Sequence, residues 1–355
     1  MKDRDYNFDV LRIMAMFFIV VFHFFVHGVM HHHTTPEIGF ALCKMSSLTE
    51  IINFFLSESC LVVVSTGVNL FVMISGYFLI TRTDYRIHSL IRLWIRVLFY
   101  SVVISIAFYC LGKGNLADVL RSFFPITTSQ YWFIVVYFAL MAVAPFLSKL
   151  ANSISQADYK TMLLALFLIN FIVPFGRLLS GGGHLLWFVF LYLLAGYIRL
   201  YPMEIKRIRM KTVVIGMVII LCYISYAFIP VVKSGITGQT VSTVYLVEPS
   251  YNSLVFFLSV LIFCNFMNRS LSLGKYSGLI RATSSSTLGV YLLTDHGLVR
   301  DWLWENLLEC QLWMKSLWAW PTMVLFCSLI FVFTLFVDFL VGKCLDRIDC
   351  VVYGK

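Results

Sequence analysis

Apolar runs of about 20 residues recur from one end of this chain to the other. A helix of that length crosses the roughly 30 Å of hydrocarbon in a bilayer. The runs are continuous, as in 17–26 and 322–340, and do not alternate apolar with polar residues as the strands of a membrane barrel do. Because backbone groups in lipid must be satisfied internally, the pattern predicts an all-α, polytopic membrane bundle.

The composition agrees with a membrane environment and explains the positive charge. Hydrophobic residues make up 60% of the 355 residues and charged residues only 13%, about half the charged fraction of a soluble domain. The formal net charge of +9 could suit a nucleic-acid partner. With the N-terminus in the cytoplasm, however, most of the 27 Lys and Arg residues fall in cytoplasmic connections, as the positive-inside rule requires. We therefore expect no nucleic-acid partner.

Ten membrane-spanning helices are predicted, within one membrane domain over residues 1–355 and with both termini in the cytoplasm. The predicted spans are 8–27, 61–80, 90–111, 130–148, 160–176, 184–200, 211–230, 250–268, 284–300 and 320–341. In the outer connection 28–60, the segment Ser46–Cys60 is expected to form a short interfacial or re-entrant helix. The Gly/Ser/Thr-rich outer connection 231–249 is expected to be a flexible loop.

Two ionisable residues lie inside the first predicted span. A charge at the bilayer centre costs roughly 2.5–3.5 kcal/mol on insertion scales, so each needs a reason. Arg12 and His23 are eleven residues apart, which places them on one helix face and roughly 16 Å apart along the axis. Arg12 could simply reach the cytoplasmic interface. His23 lies past the midplane, where it is either functional or hydrogen-bonded by a neighbouring helix.

These residues carry a resemblance to a known family. Asp9, Arg12 and His23 resemble the opening signature of acyltransferase family 3. Later stretches resemble further motifs of that family in the expected order: Asn69–Leu79, Arg92 with Arg96, Tyr131–Phe133, Leu186–Phe188 and Gly289–Arg300. Two details differ from the family pattern. Three residues separate the paired arginines where the family usually has two, and Thr294 stands where a histidine is common, with His296 two positions later.

The resemblance implies an enzyme, an acyltransferase that moves an acyl group, usually acetyl, from cytoplasmic acetyl-CoA to a sugar hydroxyl. The acceptor would be a cell-envelope polysaccharide or its lipid-linked precursor, and the location would be the plasma (inner) membrane. The implied partners are acyl-CoA, the glycan or lipid-linked acceptor, the lipid bilayer and other envelope-glycan assembly proteins. Acetyl-CoA is a donor substrate here, and no permanently bound cofactor is expected.

The catalytic residues are predicted to be His23 and Arg12. An imidazole titrates near neutral pH, so His23 could take the proton of the acceptor hydroxyl, or it could carry the acyl group itself. Arginine forks suit phosphate, so a cytoplasmic cluster is predicted to bind CoA, unless it only fixes the topology: Arg82, Arg86, Arg92 and Arg96. Residues expected around the acceptor, or else packing helices together, are Ser75, Tyr131, Trp132, Tyr291, Asp295 and His296.

Other functions and sites are compatible with parts of the sequence. The main alternative is an exporter of an envelope glycan, although neither the repeats nor the Gly/Pro-broken spans typical of transporters occur. A ligand-sensing membrane module without turnover is a third possibility. No metal site is predicted, because His27 and His31–His33 have no evident partner set and the nine cysteines are scattered singly. Those histidines are interpreted as a hydrated outer loop.

Overall fold

A computed structural model describes residues 6–29, 48–84, 87–171, 183–202, 211–237, 253–269, 271–272 and 274–353. Helices are the only regular elements in these ranges. The α-helices are α1 (Tyr6–His23), α2 (Leu48–Val64), α3 (Thr66–Leu79), α4 (Ile87–Cys110), α5 (Leu116–Ser122), α6 (Trp132–Ser153), α7 (Gln156–Phe171), α8 (Gly183–Leu200), α9 (Thr212–Thr237), α10 (Ser253–Met267), α11 (Ser277–Thr294), α12 (Gly297–Asp301) and α13 (Ala319–Tyr353). Two π-helical turns, Phe24–Val29 and Trp302–Leu307, and two 3₁₀ turns, Gly274–Tyr276 and Cys310–Lys315, complete the described elements.

Five described helical segments are long and apolar enough to cross a membrane. They are Tyr6–Val29, Phe55–Leu79, Ile87–Cys110, Trp132–Ser153 and Ala319–Lys343. Shorter apolar helices occupy His184–Leu200, Val214–Tyr223 and Ser253–Met267. The prediction of an all-α membrane protein is confirmed. The number of ten spans and the cytoplasmic termini stay predictions.

The ninth predicted span, 284–300, is wrong as a continuous helix. Helix α11 ends at Thr294 and α12 begins at Gly297. Asp295 has φ −102° and ψ 0°, and His296 adopts an extended conformation with φ −62° and ψ 126°. An extended residue cannot continue the i→i−4 hydrogen-bond ladder, so the chain changes course between these two polar residues.

Two predicted connections are more helical than expected. The helix expected in Ser46–Cys60 is present as part of α2, which runs on to Val64 and is separated from α3 by Ser65 alone. The outer connection 231–249 begins as helix, because α9 continues through 237; the residues after that lie outside the described ranges. Apolar Val231 and Val232 extend the run past its predicted end.

The chain divides into two compact units. The first comprises 1–67, 210–262 and 271–355, and the second comprises 68–209 and 263–270. The single membrane domain over residues 1–355 stays a prediction.

Helices α1 and α11 form the most extensive helix pair of the first unit. Arg12 of α1 contacts Ser284 of α11, and His23 of α1 contacts Thr294 of α11. The contacts are eleven residues apart on α1 and ten apart on α11, so the two helices run side by side in the same direction. Helix α13 packs against both of them.

Motif residues of the second unit pack its helices together. Gly76 of α3 lies so close to the backbone of Tyr192 in α8 that any β-carbon would overlap it. Asn69 Oδ1 accepts a hydrogen bond of 3.0 Å from Trp187 Nε1, and both side chains are buried. Small residues permit close helix approach in a membrane, and buried polar pairs hold the helices together.

Gly289 makes the contact between α11 and α13 possible. A β-carbon at this position would overlap the buried carboxylate of Asp338 on α13. Gly278, on the same helix, has no atom within 4 Å of the equivalent position. We expect Gly289→Ala to destabilise the protein by about 1–3 kcal/mol through overpacking, and Gly278→Ala to have little effect. Thermal unfolding in detergent checks this, and equal midpoints for the two variants would contradict the packing.

Candidate active site

The C-terminal end of α1 presents two histidines on the same side. His23 is the last residue of α1, and His27 lies in the π-helical turn that follows. Their ring centroids are 5.2 Å apart. His23 is buried, with 4% of its surface exposed, whereas the His27 side chain is 20% exposed. Single π-helical turns inside helices are rare and occur frequently at functional sites.

Asp295 faces both imidazoles from the end of α11. Its Oδ1 lies 3.6 Å from His23 Nε2 and 3.7 Å from His27 Nε2. The Asp295 backbone N–H donates to Tyr291 O, and this bond fixes the residue at the point where the helix stops. Because α11 ends here, the carboxylate lies at the helix terminus and beside the end of α1.

The Thr294 hydroxyl faces the second ring nitrogen of His23. The Thr294 hydroxyl donates to Val290 O at 2.9 Å, so its lone pairs are left for the His23 Nδ1, which is 3.5 Å away. An oxygen that already donates elsewhere can only accept from Nδ1–H. The neutral tautomer favoured by this contact has its proton on Nδ1. Nε2 is then the basic nitrogen, and it faces Asp295.

The nitrogens of His23 and His27 and the Asp295 oxygen are spaced so that a substrate oxygen could lie between them. The distances of 3.6 and 3.7 Å exceed those of direct N–H···O bonds. A hydroxyl oxygen lying over the triangle of Nε2, Nε2 and Oδ1 can be within hydrogen-bond range of all three atoms. The arrangement can therefore hold a hydroxyl group beside a basic nitrogen, with a carboxylate close enough to stabilise the imidazolium that forms on proton transfer.

Arg12 belongs to a second polar cluster on the same helix pair. Its Nη1 donates to Ser284 Oγ at 3.2 Å and lies 3.9 Å from Asp9 Oδ1. Ser284 Oγ in turn donates to the same oxygen of Asp9 at 2.9 Å. Asp9 and Ser284 are buried, while the Arg12 side chain is 33% exposed. The guanidinium is thus anchored at one edge and accessible at the other.

A family model described as an acyltransferase domain, that of acyltransferase family 3, matches residues 5–341. The chain belongs to the acyltransferase 3 family. Searches of curated proteins and of solved structures found no significant match. Membership in the acyltransferase 3 family establishes a membrane acyltransferase and favours the enzyme over the exporter and the sensing module.

The acyltransferase carries several of the predicted site residues in its second unit. Ser75 Oγ is hydrogen-bonded to Tyr137 at 2.9 Å, Tyr131 is fully buried at the start of α6, and Trp132 is partly exposed. Arg92 and Arg96 lie four residues apart on α4, and Arg82 is exposed just after α3. Arg86 lies outside the described residues. The roles predicted for these residues stay predictions.

The remaining predicted residues belong to the first unit of the acyltransferase. Tyr291 is buried, with its ring centroid 6.1 Å from that of His23. His296 is buried at the start of α12. The carboxylate of Asp295, a residue predicted to contact the acceptor, lies 3.6 and 3.7 Å from the two histidines.

A nearby cysteine is a poor candidate for a nucleophile. Cys310 packs against Gly28, where an added β-carbon would come within 2.7 Å of the cysteine Cβ. Burial raises the pKa of the Cys310 thiol to about 12. A thiol needs to ionise before it attacks a thioester, so Cys310 is a packing residue at neutral pH.

Three members of these clusters are not predicted from the sequence. The interpretation of His27 as part of a hydrated loop overlooks its spacing of four residues from His23, which signals a shared helix face. Ser284 gave no signal, because one serine among Ser284–Ser286 has no distinguishing pattern. Thr294 stands out in the sequence only because it departs from the family histidine.

Ser284 is predicted to hold Arg12 and Asp9 in place. We expect Ser284→Ala to lower the free energy of unfolding by about 1–3 kcal/mol, because it removes the hydrogen bonds that Ser284 Oγ makes with Arg12 Nη1 and Asp9 Oδ1. Its neighbour supplies a matched control: Ser285 is exposed and donates only to Ala282 O. Thermal unfolding of both alanine variants in detergent tests this. A midpoint for Ser284→Ala no lower than that of Ser285→Ala would argue against the cluster.

Proposed function

We propose that this acyltransferase moves an acetyl group from cytoplasmic acetyl-CoA to a sugar hydroxyl of a cell-envelope polysaccharide or its lipid-linked precursor. The observation that carries the proposal is the buried His23, with its Nε2 facing Asp295 and its Nδ1 facing Thr294. Imidazole in this setting is suited to accept a hydroxyl proton at neutral pH. The family supplies acyl transfer as the reaction class.

The reaction we propose starts with the acceptor hydroxyl between His23 and Asp295. His23 Nε2 takes the hydroxyl proton as the oxygen attacks the thioester carbonyl carbon. The carbon–sulfur bond breaks, an ester forms, and the CoA thiolate leaves and receives the proton from the imidazolium. Asp295 stabilises that imidazolium while it exists. The alternative, in which His23 itself accepts the acyl group before the sugar does, uses the same nitrogen.

Arginines are proposed to bind the donor. Arg12 is held by Asp9 and Ser284 with part of its side chain accessible, which favours a contact with a charged substrate. The phosphates of CoA would be bound by the cytoplasmic arginines Arg82, Arg86, Arg92 and Arg96. The four-residue spacing of Arg92 and Arg96 on α4 supports this role, since it places both guanidinium groups on one helix face.

The proposed topology has ten spans, both termini in the cytoplasm, and a location in the plasma (inner) membrane. The common direction of α1 and α11 supports it, because the first and ninth spans of such a chain run the same way. The acyl group would then reach His23, past the midplane, from the cytoplasmic side. The acceptor would meet the acyl group from the outer side, near Tyr291, Asp295 and His296. We also propose that Ser75, Tyr131 and Trp132 bind the acceptor.

The proposal predicts that His23→Ala abolishes acetyl transfer. Membranes that contain the native glycan are supplied with labelled acetyl-CoA, and alkali-labile ester on the polysaccharide is counted. Loss of a general base lowers such rates by about 10²–10⁴-fold. His88→Ala is the control, because His88 is exposed on α4. At equal protein levels, unchanged label in His23→Ala would remove His23 from the mechanism, and no label in either protein would contradict this donor and acceptor pair.

The same label distinguishes the two roles of His23. Purified protein is given labelled acetyl-CoA without acceptor, and label attached to the protein is measured. Label that is present in the unaltered protein and lost in His23→Ala would identify His23 as an acyl carrier. Protein that stays unlabelled but transfers acetyl when the glycan is added would identify His23 as the base.

A further inference from the structure

The two histidines and the carboxylate at the end of α1 and α11 have the composition of a metal site. Asp295 Oδ1 faces Nε2 of both histidines, and one ligand atom from each of the three residues lies within 4.8 Å of the other two. His23 and Asp295 are buried, and His27 is the most accessible of the three. Two imidazoles and one carboxylate form a ligand set that binds Zn²⁺ and related divalent metals and leaves a position open.

The distances fit a metal after a small closure. Ligand atoms at about 2.0–2.1 Å from a tetrahedral Zn²⁺ are roughly 3.3–3.4 Å apart. The His23–Asp295 and His27–Asp295 distances are 3.6 and 3.7 Å, so each of these two pairs needs to approach by about 0.3 Å. The ligand atoms of His23 and His27 lie within 4.8 Å of each other, and rotation of the two imidazoles would bring this pair together as well.

The surroundings already orient one of the ligands. A metal-bound histidine usually donates its other ring N–H to an oxygen, which fixes the tautomer. Thr294 Oγ1 stands opposite Nδ1 of His23 and is committed as a donor to Val290 O. His23 therefore presents the lone pair of Nε2 to the position that His27 and Asp295 also face.

We propose that His23, His27 and Asp295 form a binding site for Zn²⁺ or a similar late first-row divalent cation. The cation occupies Nε2 of His23, which is the nitrogen that takes the hydroxyl proton in the proposed reaction. Bound metal therefore inhibits acyl transfer. The inhibition rests on the proposed function, whereas the binding itself does not.

Metal binding is tested with Co²⁺, whose visible absorption reports its coordination. Because His31, His32 and His33 could bind Co²⁺ by themselves, the measurement uses purified full-length protein in which these three are glutamine. We expect one equivalent of Co²⁺ to produce the visible bands of a low-coordinate site, and one equivalent of Zn²⁺ to abolish them. If the spectrum of Co²⁺ with the protein is identical to the spectrum of Co²⁺ in detergent buffer alone, the proposal is overturned.

Substitutions at His27 locate the site. In the same background His27→Gln should lose the bands, whereas His88→Gln, which changes an exposed histidine of α4, should keep them. His27→Cys should retain binding and add a thiolate-to-cobalt band in the near ultraviolet, a gain of signal that misfolding cannot produce. Bands unchanged in His27→Gln, or absence of the new band in His27→Cys, would place the metal elsewhere and overturn the proposal.

The inhibition has its own measurement. His27→Gln removes one of the three metal ligands, so half-inhibition of the transfer activity that this variant retains should need at least tenfold more Zn²⁺ than half-inhibition of the unaltered protein. Equal inhibition of both would contradict inhibition through this site. The cobalt measurement does not depend on acetyl transfer. Failure of the transfer assay would therefore contradict the proposed function without affecting the proposed metal site.

Discussion

The pairing of α1 with α11 is the constraint on which the described site depends. Two buried polar groups on α11, Ser284 and Thr294, lie ten residues apart and face Arg12 and His23, which lie eleven apart on α1. Each pair gives a polar side chain a partner where lipid offers none. The two contacts also fix the relative register of the helices, because a shift by one residue would misalign both pairs at once.

Gly289 and the end of α11 position the residues of the candidate site within this helix packing. The glycine lies between the two polar contacts and leaves room for Asp338 of α13, so a third helix closes against the pair. Five residues after Gly289 the helix stops, and Asp295 and His296 take non-helical conformations. A continuous helix would carry Asp295 along its side. The break places its carboxylate between His23 and His27, at the point where α1 itself changes from α- to π-helical geometry.

The sequence predicts the class of fold, because long apolar runs predict membrane helices. It also predicts a site on α1, because a histidine is aligned with Arg12 inside such a run. The partners that α11 supplies to Arg12 and His23 could not be predicted from the sequence. The contacts of Ser284 and Thr294 join residues more than 270 positions apart, and no local pattern reports such a pairing. Helix ends are also poorly marked here, since neither Gly nor Pro occurs at 295 or 296 to signal the break.

The central claim is that Asp295 acts through His23, and a double-mutant cycle on acetyl transfer tests it most directly. The kcat/KM values of His23→Ala, Asp295→Asn and the double variant are compared with that of the unaltered protein. If the carboxylate only stabilises the imidazolium of His23, the double variant should lose no more than His23→Ala alone, within about threefold. Losses that multiply in the double variant would contradict the account, because Asp295 would then act independently of His23.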